Sequence, residues 1–284
     1  MENKKEILQH SPLTSTASIV KDIQAALDAT GDARGVFGSR FQYDDEVGST
    51  NDLAMRAAER GEPEGAVFVA GAQTAGRGRL GRTWFSPPGA GLYVSTIVRR
   101  PALAPWITLA GGVAVAEGIR AATGLPVEIK WPNDVVAVGS AGFRARRKLA
   151  GILAEAVSDG RQMQHVVLGY GINLLTSAFP PELAHRATSI ESELGRAVDA
   201  GPVLAQTLVA LNRATTEIET TGPAAFLRRW LALAPSVTGA RIEWNGADGA
   251  PLSGVTAGLA SDGALLARTP AGIERILSGE IRWV

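Results

Sequence analysis

Cysteine is absent from the 284 residues, which removes disulfide scaffolds, thiolate metal sites and cysteine nucleophiles from consideration. Histidine is scarce. His10, His165 and His185 lie far apart and form no HxxxH or HExxH pair, so histidine-based zinc chemistry is not indicated. Net charge is missing as well: Lys plus Arg is 28 and Asp plus Glu is 28, which argues against bulk electrostatic attachment to nucleic acid or anionic membrane. No continuous apolar run reaches the length of a membrane span. Met1 to His10 carries charge with no apolar core behind it, so it does not read as a secretory signal. A GxSxG elbow and a Walker GxxxxGK[ST] loop are both wanting. What is present is a chain with 45% apolar residues, enough to bury a core in one large domain or two small ones. A soluble cytoplasmic protein is the expectation.

Residues 1–17 are polar and read as a loose tail. Ser18 is placed to cap a short helix with Ile19, Ile23 and Leu27 on one face and Gly31 at its end. Asp32 to Arg40 reads as a linker. Ser49-Thr50-Asn51-Asp52 opens a helix over Leu53–Glu59 that Gly61 stops. Strands are expected at Ala66–Ala70, Leu92–Val98, Val127–Lys130, Asp134–Val138, Leu149–Val157 and His165–Tyr170. A buried helix is expected over Pro105–Ala122, where Gly111-Gly112 allow close packing. Two more follow at Val203–Thr220 and Pro223–Leu233, the first with Leu204, Leu208 and Leu211 on one face. After Pro235 come short strands at Arg241–Trp244, Leu252–Leu259, Ala264–Ala267, Ile273–Leu277 and Ile281–Val284, parted by turn residues. The pattern predicts an α+β domain with a small barrel appended. We divide the chain into a tail with a short helix (1–40), a main domain (41–235) and the barrel (236–284).

Four segments carry residues suited to chemistry. In Gly76-Arg77-Gly78-Arg79-Leu80-Gly81-Arg82 glycines alternate with arginines, and the window Gly76 to Arg100 holds five Arg and no acid. Backbone N–H groups freed by glycine and planar guanidinium forks suit a polyanion. Trp84-Phe85 behind the loop favours a pocket wall over a merely solvated turn. Lys130-Trp131-Pro132-Asn133-Asp134 sets an amide and a carboxylate at the end of an apolar strand, where they could bind magnesium, orient an amine or form an ordinary turn. Arg144-Ala145-Arg146-Arg147-Lys148 is a basic loop running into Leu149-Ala150-Gly151-Ile152-Leu153; Lys148 sits at a strand edge, where it can project a point charge into a pocket or, more plainly, snorkel to solvent. Gly169-Tyr170-Gly171-Ile172-Asn173 alone is weak evidence.

Their order is more telling than any one of them. Ser49-Thr50-Asn51, Gln73 with the Gly/Arg loop, Lys-Trp-Pro-Asn-Asp, Lys-Leu-Ala-Gly-Ile-Leu and Gly-x-Gly-Ile-Asn together resemble the biotin protein ligases, strongly from Val47 to Asn173 and by architecture in the terminal barrel. The resemblance implies a mixed β-sheet catalytic domain flanked by helices, class II synthetase-like or lipoate ligase-like, with a C-terminal SH3-like β-barrel. It implies ATP, Mg2+ and biotin, formation of biotinyl-5'-AMP, and transfer of biotin to a lysine of a biotin carboxyl carrier protein. By family match Lys148, Arg79 and Asp134 are catalytic. Ser49, Thr50, Asn51, Gln73, Gly76, Arg77, Gly78, Arg79, Trp84, Lys148 and Gly151 receive biotin. Arg77, Arg79, Arg82, Trp84, Asn133, Lys148 and Asn173 meet ATP or the adenylate. No protein ligand is assigned to a metal.

The physical problem such a site faces is the approach of a carboxylate to a negatively charged α-phosphate, which cations and dipoles must screen. Regulatory members carry a DNA-binding winged helix ahead of the catalytic region; 46 residues precede Val47 here, so no DNA binding is expected. No membrane partner is expected either, and a homodimer is left open. Gly139–Arg147 is longer and more basic than the usual turn, and a solvated loop is its plainer reading. The alternative function is a lipoate or octanoate ligase or transferase, whose relatives lack the Gly/Arg loop in this form. A nucleic-acid-binding module built on Arg144–Lys148 is disfavoured by the zero net charge.

Overall fold

The structure, a computed structural model, describes residues 16–138, 146–158, 163–246, 249–277 and 279–284. Most of residues 1–17 and most of the 139–147 loop, both singled out above, therefore lie outside the described residues. In chain order the elements are α1 (Thr16–Ala29), α2 (Gly31–Arg34), β1 (Phe41–Val47), α3 (Thr50–Glu59), β2 (Val67–Gln73), β3 (Gly91–Val98), α4 (Ile107–Thr123), β4 (Val127–Lys130), β5 (Asp134–Ala137), β6 (Arg147–Ser158) and β7 (Met163–Asn173). Then come α5 (Ile190–Leu194), α6 (Ala200–Thr220), α7 (Pro223–Leu233), β8 (Thr238–Asn245), β9 (Pro251–Leu259), β10 (Leu265–Thr269), β11 (Gly272–Ile276) and β12 (Arg282–Trp283).

Seven strands form one mixed sheet in the order β1-β2-β3-β7-β6-β5-β4. Only β1 and β2 run parallel; each other neighbouring pair is antiparallel. β7 lies at the centre, and its nearly unbroken apolar run from His165 to Asn173 is buried throughout, as a strand covered on both faces requires. One face of the sheet carries α4, with α6 stacked upon it and α1 and α2 against α6. α4 is almost wholly buried. Its Gly111 lies so close to the sheet that a Cβ there would stand 2.9 Å from Leu168 Cδ1, which explains the glycine in an otherwise apolar helix. The opposite face carries α3, packed through Ala54, Ala57 and Ala58 against Phe68, Ile97 and Val167. Residues of β7 alternate between these faces: Leu168 meets α4, whereas Gly169 meets Asn51 of α3.

Several local expectations are corrected. α1 begins at Thr16, so Ser18 lies inside the helix rather than capping it. Asp32–Arg40 is no linker: it contains part of α2, the fully buried Phe37, and a buried Arg34 that donates to Leu27 O at 3.1 Å and Phe37 O at 2.6 Å. Ser49 occupies the N-cap position of α3 without a side-chain cap bond; Gln73 supplies it instead, its Oε1 accepting from Thr50 N at 2.9 Å. β1 and α5 were not anticipated.

The terminal strands form a separate five-stranded sheet in the order β11-β10-β9-β8-β12, antiparallel at each pairing. All five expected strands are present. No β11–β12 pairing closes the sheet into the expected barrel among the described residues. This sheet is tied to the first through Trp131, whose buried Nε1 donates to Gly263 O at 3.0 Å. Trp283 of β12 is flanked by two cations, Lys130 Nζ and the Arg146 guanidinium, each 5.0 Å from its ring. Among the described residues no helix is long and apolar enough to cross a membrane.

Candidate active site

On the α3 face of the sheet a cleft is lined by residues from every segment singled out in the sequence: Ser49, Thr50 and Asn51; Gln73; the Gly/Arg loop from Arg77 to Trp84; Lys130 to Asp134; Lys148 and Gly151; and Gly169 to Gly171. Gly279, Glu280 and Ile281 add a wall from the terminal sheet's end of the chain.

Its floor is the cross-strand pair Gly151 and Gly171. The Trp84 ring lies on this pair. A Cβ on Gly171 would come within 2.4 Å of Trp84 Nε1, and one on Gly151 within 2.9 Å of Cζ3. Glycine is required here by close approach rather than by backbone angle.

At one side of the cleft the polar groups form a chain. Ser95 Oγ stands 2.8 Å from Thr50 Oγ1 and 2.6 Å from Asn51 Oδ1. Thr50 Oγ1 donates to Gln73 Oε1 at 3.1 Å, and Gln73 Nε2 donates to Ser86 Oγ at 2.9 Å. Thr50, Asn51, Ser86 and Ser95 are all buried. Held in fixed orientations, such hydroxyl and amide groups can present donors and acceptors to a neutral polar ligand.

The cations gather around Asp134 and Asn133. Lys148 Nζ lies 2.7 Å from Asp134 Oδ1 and 5.0 Å from the Trp84 ring centre. A β-bulge between Val135 and Val136 shifts the β5–β6 register, so Lys148 faces Val136 while Gly151 faces Asp134. That irregularity brings Lys148 and Gly151, an odd number of residues apart, onto one face; a Cβ on Gly151 would stand 3.1 Å from Lys148 Nζ. Lys148 is further fixed by its backbone, which exchanges hydrogen bonds with Arg186 O and Thr188 N at 2.8 and 2.9 Å. Arg79 Nη1 donates to Asn133 Oδ1 at 3.3 Å, and Asn133 Nδ2 donates to Ile152 O at 2.9 Å. Burial presses the Arg79 guanidinium and the Lys130 ammonium below their ordinary values, with the Asp134 charge opposing in both cases. A site that holds cations at a desolvation cost is built to be relieved by an anion.

Two arginines of the loop face acids rather than open space. Arg77 forks onto Asp52 (2.7 and 2.9 Å) and reaches Glu155 at 3.1 Å. Arg82 forks onto Glu280, with Nη1 to Oε1 at 2.9 Å. The loop itself is a small hairpin, closed by an Arg77–Thr83 bridge and by Trp84 N donating to Gly76 O at 2.9 Å.

Thus the expected residues Ser49, Thr50, Asn51, Gln73, Arg77, Gly78, Arg79, Arg82, Trp84, Asn133, Asp134, Lys148 and Gly151 line one cleft. Gly76 and Asn173 are not among its lining residues. Gly76 holds the base of the hairpin, and the buried Asn173 side chain donates to Thr188 O at 2.9 Å. Arg146 departs from the solvated-loop reading: it is ion-paired with Glu128, its side chain only 5% exposed. Sequence reasoning passed over Ser95, Ser86, Glu155 and Glu280. A serine in the apolar run Leu-Tyr-Val-Ser and a glutamate in Ile-Leu-Ala-Glu were the available signals.

Residues 47–173 match the model of the biotin/lipoate A/B protein ligase family, and residues 241–282 match the biotin protein ligase C-terminal domain. The biotin–[acetyl-CoA-carboxylase] ligase of Paracoccus denitrificans is 34% identical over 82% of this chain and 96% of its own length. The chain belongs to this ligase family. Within it, the bifunctional ligase/repressor BirA of Bacillus spizizenii is 34% identical over 87% of this chain and 74% of that protein. The biotin protein ligase of Aquifex aeolicus, solved in complex with biotin and ATP, superposes with a TM-score of 0.72 at 29% identity, covering 87% and 99% of the two chains. The ligase fold and the terminal antiparallel sheet are therefore both family features.

Proposed function

We propose that the cleft joins biotin to ATP and hands the activated vitamin to a carrier lysine: an ATP-dependent biotin–[biotin carboxyl carrier protein] ligase. The carrying observation is the meeting, in one cleft, of a buried hydroxyl–amide chain suited to a neutral ureido ring with half-buried cations suited to a carboxylate and phosphates. Relatives named as biotin ligases, and a structural neighbour holding biotin and ATP, support the same reading.

In the first step a carboxylate oxygen of biotin bonds to the α-phosphorus and pyrophosphate leaves. Lys148 and Arg79 are positioned to screen the two anions and to stabilise charge developing on the α-phosphate. Ser49, Thr50, Asn51 and Gln73 would hold the ring end, Trp84 would pack on the ligand, and Arg82 and Asn133 would attend the nucleotide. In the second step the carrier amine bonds to the acyl carbon, AMP leaves, and the amine sheds a proton. Asp134 is the carboxylate at hand to orient that amine or accept the proton. Mg2+ bound with ATP would supply neutralisation of the phosphate charge. Asp134 and Glu280 are the carboxylates that line the cleft and the residues that would help hold such an ion. We place the protein in the cytoplasm, where ATP and carboxylase carriers are found.

The test is biotin- and ATP-dependent pyrophosphate release by the purified chain, followed by labelling of a biotin carboxyl carrier domain, with lipoate as the competing substrate. Release with lipoate but not biotin would replace this reading with lipoylation.

A further inference from the structure

Arginine in a loop beside a phosphate site invites assignment as an anion clamp, and Arg77 was so assigned above. Its surroundings indicate otherwise. Both terminal nitrogens are engaged by Asp52 of α3 at 2.7 and 2.9 Å, and Nη2 also reaches Glu155 of β6 at 3.1 Å. A guanidinium that already holds two carboxyl groups has little field left for a third anion. Arg79 differs: among the described residues its one side-chain hydrogen bond is a long 3.3 Å contact to an amide oxygen.

The position of Arg77 in the hairpin matters as much as its partners. It bridges to Thr83 at the hairpin's base, while Gly78 N and Arg82 O close the next turn at 2.7 Å. Fixing Arg77 therefore fixes where the arm carrying Arg79 leaves the sheet. The same Glu155 that receives Arg77 also accepts from Asn51 Nδ2 at 2.5 Å, which dictates which way the Asn51 amide is turned. Asn51 Oδ1 is then left toward Ser95 and Gly169, where only a residue without Cβ fits, since one on Gly169 would stand 2.1 Å from that oxygen.

We propose that Arg77 is a positioning residue which pins the hairpin base to α3 and β6 through Asp52 and Glu155, and through Glu155 sets the Asn51 amide for the vitamin ring. The inference rests on the biotin-ligase reading for its substrate and on the contacts alone for its mechanics. The influence of Arg77 falls on recognition of the ring; the phosphates are left to Arg79 and Lys148. The lowered Asp52 carboxyl, whose leading cause is the hydrogen bonding from Arg77, accords with a standing pair.

The experiment measures KM for biotin, KM for ATP and kcat of pyrophosphate release in Arg77→Ala, Asp52→Asn, the double variant and Arg79→Ala. Arg77→Ala and Asp52→Asn are expected to raise KM for biotin by about fivefold, the scale of one partly exposed ion pair, with KM for ATP unchanged. The double variant should be no worse than either single one, because the pair acts as a unit, and Asp52→Glu should restore the wild-type value. Arg79→Ala should instead change kcat or KM for ATP. The proposal is overturned if Asp52→Asn leaves KM for biotin unaltered, or if Arg77→Ala reproduces the Arg79→Ala pattern. A second measurement needs no turnover: amide hydrogen exchange across residues 76–84 should quicken in Asp52→Asn, and unchanged exchange would refute the pinning. Absence of pyrophosphate release from the wild type would count against the biotin reading and leave the exchange result to decide the mechanics.

Discussion

Lys148 and Asp134 form an ion pair of 2.7 Å across neighbouring antiparallel strands, diagonal to each other because a bulge resets the register between them. The pair holds an ammonium in place; under the proposed mechanism no side chain then has to be gathered in when a carboxylate and a phosphate arrive. Such preorganisation is where most electrostatic catalysis resides.

Replacing Lys148 by Ala removes the fixed cation while leaving β6 paired on both sides. The rate of biotin-dependent pyrophosphate release should fall by about 10²–10³-fold, with an unchanged far-ultraviolet circular dichroism spectrum. A variant that releases pyrophosphate at the wild-type rate would strip Lys148 of its part in activation.

Asp134→Asn separates the two half-reactions. Pyrophosphate release should persist within a few-fold, whereas single-turnover transfer to the carrier lysine should slow by about 10²–10⁴-fold for loss of a general base. Equal losses in both steps would mean that Asp134 acts only by holding Lys148.

The glycine floor sets a further expectation. In Gly171→Ala the new methyl would meet Trp84 Nε1 at 2.4 Å, so the indole must lift. We expect a loss of about 1–3 kcal/mol in stability from overpacking, a shifted tryptophan emission and weakened biotin binding by calorimetry. Unaltered emission with unaltered binding would show that the ring does not rest on this floor.

His165 gives the protein a pH response unconnected with catalysis. It is buried, and burial first and the Arg99 charge second hold its imidazole below its ordinary value of 6.5. Below that value the unfolded chain takes up a proton that the folded chain resists, so stability is present above pH 6.5 and is lost as the pH falls through the lowered folded value. Urea midpoints should drop between pH 7.5 and 5.5 (about those values) in the wild type and drop less in His165→Asn. Parallel declines in both proteins would place the sensitivity elsewhere.

Much of this is legible in the sequence. The bounds of β4 and α7, the burial of α4 and the five terminal strands all follow from local patterning, because each strand or helix buries a face that its own residues advertise. β1 was not legible: Phe-Gln-Tyr-Asp-Asp-Glu-Val is acidic and half exposed, and becomes a strand by backbone pairing with β2 at the sheet's edge. The motifs mark most of the residues that line the cleft, but not the ion pairing of Arg77, since its two partners lie on α3 and β6 and are remote in sequence. The bulge that aims Lys148 is equally silent in the residues, being a property of two strands in register rather than of either alone.

Arg82 and Glu280 meet across 198 positions of chain, and Ile281 stands beside them in the cleft wall. A ribosome making this protein has therefore produced the whole seven-stranded sheet long before the cavity has its last side. A product cut short ahead of Glu280 would lack both the partner of Arg82 and this wall.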